Sequence, residues 1–138
     1  MKHIRLLGII VCLVAVLALS SSALAAMKEP DASPAYTYAS EVYAKLSVKS
    51  GVATAEGRVE PWNSSYKTSV NVELQKKDGS SWVKVASWSG TNSAGAASAS
   101  GTKSVAKGYS YRVYITAKVY VSGVLKETIH KASSTVSY

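Results

Sequence analysis

Past about Tyr38, β-branched and aromatic residues alternate with polar ones over short segments, and Gly punctuates the pattern at short intervals. A period of two is the mark of a strand with one buried face. Seven strands follow from it. The first, about Val42 to Val48, turns Val42, Ala44, Leu46 and Val48 inward and Tyr43, Lys45 and Ser47 outward. Ser50-Gly51 bends the chain into a second, about Val52 to Glu60, with Ala53, Ala55, Gly57 and Val59 on one face. Pro61 ends its pairing, since proline has no N–H to give to a neighbouring strand. Trp62-Asn63-Ser64-Ser65 is a loop.

The third and fourth strands meet at Asp78-Gly79, two residue types that tolerate the positive φ of a two-residue hairpin turn. That register sets Leu74 opposite Val83 and Val72 opposite Val85, with Glu73 beside Lys84 and Gln75 beside Trp82. Apolar meets apolar and opposite charges meet, whereas a slip of one residue would exchange the faces. The same register predicts that Trp82 and Trp88 both point to solvent.

Ser89 to Ser104 is a stretch of Ser, Ala, Gly and Thr, read as a loop and then a weak fifth strand from Ala97 to Val105. Lys103 would share the inner side with Ala97, Ala99 and Val105, which predicts a bulge there. The sixth strand, Tyr109 to Val121, is the longest. Tyr111, Val113, Ile115, Ala117, Val119 and Val121 face in, and Arg112, Tyr114, Thr116, Lys118 and Tyr120 face out. Ser122-Gly123 leads to the seventh, whose register stays open. A two-residue turn pairs Lys118 with Glu127 but points Lys126 inward opposite Val119. A three-residue turn buries Leu125 and Ile129 but sets Glu127 opposite Val119. Val136 and Tyr138 read as a continuation of this last strand.

The first 26 residues are of another kind. Lys2, His3 and Arg5 precede an apolar run from Ile4 to Leu19, followed by Ser20-Ser21-Ser22-Ala23-Leu24-Ala25-Ala26. Positive start, apolar middle and small-residue end form a secretory signal, with cleavage after Ala25 or Ala26. The run of about 16 residues is short of the roughly 20 that span a bilayer. Cys12 lies in mid-run, where a lipid-attachment cysteine would not stand. Residues 1–26 are therefore read as the signal, 27–38 (with Pro30 and Pro34) as a flexible leader, and 39–138 as one domain. Export leaves no cysteine and no membrane span, and localisation is expected to be extracellular, with loose cell-wall association as a variant.

The segment Val105-Ala106-Lys107-Gly108-Tyr109-Ser110-Tyr111-Arg112-Val113-Tyr114-Ile115-Thr116-Ala117 resembles the corner and following strand of fibronectin type III and other immunoglobulin-like domains. There a tyrosine hydroxyl bonds back to the backbone upstream. Tyr111 is the matching position and Tyr109 the second choice. The signal, Leu74-Gln75-Lys76, the run Gly79 to Ser89 and Gly108 to Val113 make most of the domain similar to small secreted proteins of Gram-positive bacteria of unknown function. The resemblance implies export and an all-β, single immunoglobulin-like (fibronectin type III-like) antiparallel β-sandwich of about seven strands. It implies no activity.

Charge changes the picture only in part. The chain has 16 Lys and Arg against 8 Asp and Glu; losing Lys2 and Arg5 leaves 14 against 8. Such a balance favours anionic partners, but no run of five or six cations occurs and nucleic acid is not expected. Catalytic chemistry finds little purchase. His130 is the one histidine after the signal, too few for a metal site or a serine–histidine relay. Glu56 and Glu60 share a strand face at about 13 Å by strand rise, too far apart for a glycosidase pair. No enzyme, cofactor or metal is expected.

What remains is a face. If the third, fourth and sixth strands share a sheet, one surface presents Trp82, Trp88, Arg112, Tyr114, Lys118 and Tyr120, with Asn71 and Gln75 between them. Rings stack on sugars or side chains, cations attract anions, and amides bond hydroxyls. The expected function is a secreted binding module for a glycan or anionic cell-wall polymer. The alternatives are a structural or protein–protein domain contacting another extracellular protein, and a cationic antibacterial protein.

Overall fold

Three short turns set the strand pairing. Ser50 and Gly51 have φ of 51° and 77°, and Ser122 and Gly123 have 50° and 78°. Positive φ at both central residues is the turn whose twist matches that of the flanking strands. The third turn has Gly79 first, at φ 61°, the position where the alternative two-residue turn requires glycine.

A computed structural model of the chain describes residues 35–138. The signal expected at 1–26, and the part of the expected leader up to residue 34, lie outside the described residues. The described elements are all strands: β1 (Ala39–Lys49), β2 (Val52–Pro61), β3 (Lys67–Asp78), β4 (Ser81–Asn92), β5 (Ala97–Ser104), β6 (Ser110–Val121), β7 (Val124–Ala132) and β8 (Val136–Ser137). They form two antiparallel sheets, β1-β2-β5 and β4-β3-β6-β7, with β8 following β7 along the same edge of β6. This is an all-β sandwich.

The core lies between the sheets. Val42, Ala55 and Val59 of one sheet pack with Val70, Val72, Val113, Ile115, Ala117 and Val119 of the other. Ala53, Leu74 and Tyr111 form a second cluster. Small and β-branched side chains suit a pleated, buried surface, and each fully buried valine or leucine contributes about 1.5–3 kcal/mol. Tyr111 is the largest of the fully buried side chains, and its hydroxyl donates to the Ala106 carbonyl at 2.7 Å. That bond satisfies the one polar atom the ring brings inside and ties the β5–β6 connection to the core.

Three register shifts interrupt the plain alternation: Ser40 is extra at the start of β1, between Ala39 and Glu41, and two bulges lie on β4 and β7. The β3–β4 turn is centred on Gly79-Ser80 rather than Asp78-Gly79, so Asp78 faces Ser81, Lys76 faces Val83 and Gln75 faces Lys84. The expected pairs of Leu74 with Val83 and Val72 with Val85 do not form. Between Leu74 and Gln75 the register shifts, leaving Val85 as an extra residue on β4, and beyond it Leu74 faces Ala86 and Val72 faces Trp88. One inserted residue reverses which side every later residue takes. Trp82 therefore points out and Trp88 points in, a correction to the expectation that both face solvent.

On β7 the two-residue turn holds at the tip, where Val121 faces Val124 and Tyr120 faces Leu125. A second bulge then leaves Lys126 extra, so Glu127 meets Val119 and Ile129 meets Ala117. Each of the two open registers was right over part of the strand: Ile129 is buried, Leu125 exposed. The bulge expected at Lys103 is absent. β2 and β5 pair without interruption, Ala53 facing Lys103, and Lys103 is exposed because it has reached the end of the sandwich.

Candidate functional site

The outer face of β4-β3-β6-β7 collects the side chains that alternate with the core. On β6 these are Arg112, Tyr114, Thr116, Lys118 and Tyr120, each half-buried among its neighbours. Arg112 is the hub. Its guanidinium carbon sits 4.3 Å from the centre of the Trp82 ring and 5.3 Å from that of Tyr114. Its Nε donates to Gln75 Oε1 at 2.7 Å, and Gln75 Nε2 donates to Glu73 Oε1 at 3.0 Å. A cation held over two rings and bonded to a buried amide is held in one orientation.

The row continues across β7. His130 lies against Tyr114 with ring centres 5.8 Å apart and planes 16° from parallel, and its Nδ1 is 3.2 Å from Thr116 Oγ1. At the far end Lys67 Nζ stands 5.3 Å from the Tyr120 ring centre. Lys118 borders a shallow trough of about 280 Å³ lined also by Ser69, Asn71, Ser89, Thr91 and Thr116. Hydroxyls and one amide thus lie beside the stacked rings. A larger depression of about 370 Å³ follows the edge of β1 near Leu46 and Ser133, and no aromatic side chain lines it.

Of the six residues expected on this face, Trp82, Arg112, Tyr114, Lys118 and Tyr120 share it. Trp88 does not. Its indole packs on both core clusters and lies so close to Gly101 on β5 that a side chain there would collide with the ring. His130 and Lys67 belong to the face and were not among the six. His130 was readable from one of the two open registers, since burying Ile129 turns its neighbour outward.

Charge is sorted between the two sheets. Among the described residues, the outer face of β4-β3-β6-β7 carries Lys67, Lys77, Lys84, Arg112 and Lys118 against Glu73 alone. The outer face of β1-β2-β5 sets Lys45, Lys49 and Arg58 against Glu41, Glu56 and Glu60. On that balanced face the carboxylates have local partners: Tyr43 donates to Glu56 Oε1 at 2.9 Å, and Arg58 lies 3.6 Å from Glu60.

Among the described residues no three His, Cys, Asp or Glu gather as a metal site, and no helix is long and apolar enough to cross a membrane. No protein-family model, curated protein or solved structure matches the chain. Fold and site together define an antiparallel β-sandwich with one aromatic, cationic sheet face.

Proposed function

We propose that the chain is an exported, non-catalytic binding module with an immunoglobulin-like, fibronectin type III-like sandwich. It holds an anionic carbohydrate polymer, of the kind found in bacterial cell walls, on the outer face of β4-β3-β6-β7. The observation that carries this reading is the sorting of charge onto the same sheet that bears the ring row. Among the described residues five cations oppose one carboxylate there, while the opposite sheet face is balanced. Rings offer flat apolar surface to sugar C–H groups, lysines attract acidic substituents, and the Ser, Thr and Asn trough supplies partners for hydroxyls. The three strands facing β4-β3-β6-β7 and the Tyr111 bond to Ala106 support the kinship with immunoglobulin-like domains. Export is supported by the pattern of residues 1–26.

The test is retention on purified Gram-positive cell wall, before and after chemical removal of its anionic polymers. Retention at low salt that falls after removal, and falls again in a Tyr114→Ala/Lys118→Ala variant that still unfolds cooperatively, is expected. Equal retention on intact and stripped wall, or an unaffected variant, would overturn the reading.

A further inference from the structure

Lys76, Lys103 and Lys107, which belong to neither outer sheet face, gather at one end of the sandwich, where Lys49 and Lys77 join them from the two faces. This end is built from the Ser50-Gly51 turn, the Gly79-Ser80 turn, the segment between β5 and β6, and Tyr138. The Ser50-Gly51 turn, the β5–β6 segment and Tyr138 are bonded together. Val105 N–H donates to the Gly51 carbonyl at 2.9 Å, Gly108 N–H to the Tyr138 carbonyl at 2.6 Å, and Tyr138 N–H to the Tyr109 carbonyl at 3.0 Å. Lys76 Nζ sits 4.3 Å from the Tyr109 ring centre and Lys107 Nζ 5.7 Å from that of Tyr138. Lys103 is exposed at the end of β5, and Lys49 and Lys77 stand at the rims. Asp78 is the one carboxylate side chain among the described residues at this end; the opposite end sets Glu41, Glu60 and Glu127 against Lys67 and Lys126.

The same end exposes apolar surface. Val52 is 39% exposed, Tyr109 42% and Val83 45%, and they adjoin the lysines, since Val83 pairs with Lys76 and Val52 with Lys49. We propose that this end of the sandwich docks on an anionic lipid surface. Lysines would sit among the headgroups, while the valines and Tyr109 enter the boundary with the acyl chains. Each lysine near such a surface strengthens the attraction several-fold. Tyrosine suits the interface because its body is apolar and its hydroxyl stays wet. A hydrated polysaccharide gains nothing from the two exposed valines, whereas a bilayer does. The surface shares no ring with the Trp82–Arg112–Tyr114 row, so the proposal stands apart from glycan binding.

Co-sedimentation with lipid vesicles tests it, using the protein as expressing cells process it. One set is phosphatidylcholine and the other mixes in phosphatidylglycerol. The expected result is partition onto the anionic vesicles and little onto the neutral ones. A Lys103→Glu/Lys107→Glu variant and a Val83→Ser/Tyr109→Ser variant should each bind the anionic vesicles more weakly, the first by about tenfold or more. All four positions are exposed, and an unchanged thermal transition shows each variant folded. A Tyr114→Ala/Lys118→Ala variant should bind vesicles as the parent does, which separates this surface from the sheet face. Equal partition on both vesicle types, no binding to the anionic ones, or indifference to both end variants would overturn the proposal. So would loss of vesicle binding in the sheet-face variant alone.

Discussion

Trp82 and Trp88 are six positions apart on one strand, yet their surroundings differ in kind. Trp82 lies on the outer face under the Arg112 guanidinium; Trp88 reaches between the sheets and fills the space above Gly101. Removing a ring that packs on the core leaves a cavity, and its cost is large because the neighbours relax only in part. Trp88→Ala is expected to lower stability by about 3 kcal/mol, and Trp82→Ala by no more than about 1 kcal/mol. Gly101→Ala should cost about 1–3 kcal/mol, since the added methyl has to push the indole aside. Denaturant midpoints of the three variants check this; equal losses for the two tryptophans would contradict their opposite placement.

At the scale of elements, the bulges on β4 and β7 decide where side chains go. The Lys126 bulge turns Glu127 toward the inner side of β7, and the start of β1 supplies the compensation. The backbone N–H groups of Thr37, Tyr38 and Ala39 donate to its carboxylate at 2.8, 2.9 and 3.0 Å. Burial disfavours the charged form, but the three donors outweigh it and hold the pKa below its ordinary value of 4.5. A carboxyl group with a depressed folded pKa stabilises the fold above its unfolded pKa, and the contribution vanishes as pH falls through the folded value. Stability should therefore fall on acidification below about pH 4.5. A Glu127→Gln variant should be less stable at neutral pH and should lose less between neutral pH and that acid range. Parallel pH dependence in both proteins would show that Glu127 does not anchor β1.

The alternation of β6, the Ala53-Ala55-Gly57-Val59 face of β2 and the two Ser-Gly turns were legible in the chain, because each rests on local chemistry that tertiary contacts reinforce. Tyr111 was expected as the bonding tyrosine from the resemblance of the Val105–Ala117 segment to immunoglobulin-like domains, and its hydroxyl does bond back to Ala106. The bulges were not legible. An extra residue costs one unpaired position and leaves no compositional trace, while Val83, Val85 and Trp88 are apolar enough to fit more than one register. The hairpin turn was misplaced by one residue because Asp78-Gly79 and Gly79-Ser80 are both acceptable turn pairs. That slip alone kept the faces; the bulge at Val85 exchanged them. Five of the six candidate face residues were thus placeable from alternation, and Trp88 was not.

At the scale of the molecule, the excess of basic residues among the described ones is distributed with direction. One sheet face and one end are cationic, while the other sheet face is balanced. Fields of this kind speed encounter with polyanions and weaken as salt rises. Binding of an acidic polysaccharide should accordingly fall steeply with ionic strength. An uncharged analogue of equal chain length should bind more weakly, with little salt dependence.

The most direct measurement is a proton–nitrogen correlation spectrum recorded while an acidic polysaccharide is titrated in. The indole N–H signals of Trp62, Trp82 and Trp88 report from separate sites. The signal of Trp82, with backbone signals of Arg112, Tyr114 and Lys118, is expected to shift, while Trp88 and the strands β1-β2-β5 stay still. Shifts confined to β1-β2-β5, or a silent Trp82 alongside measurable binding, would contradict recognition through this face.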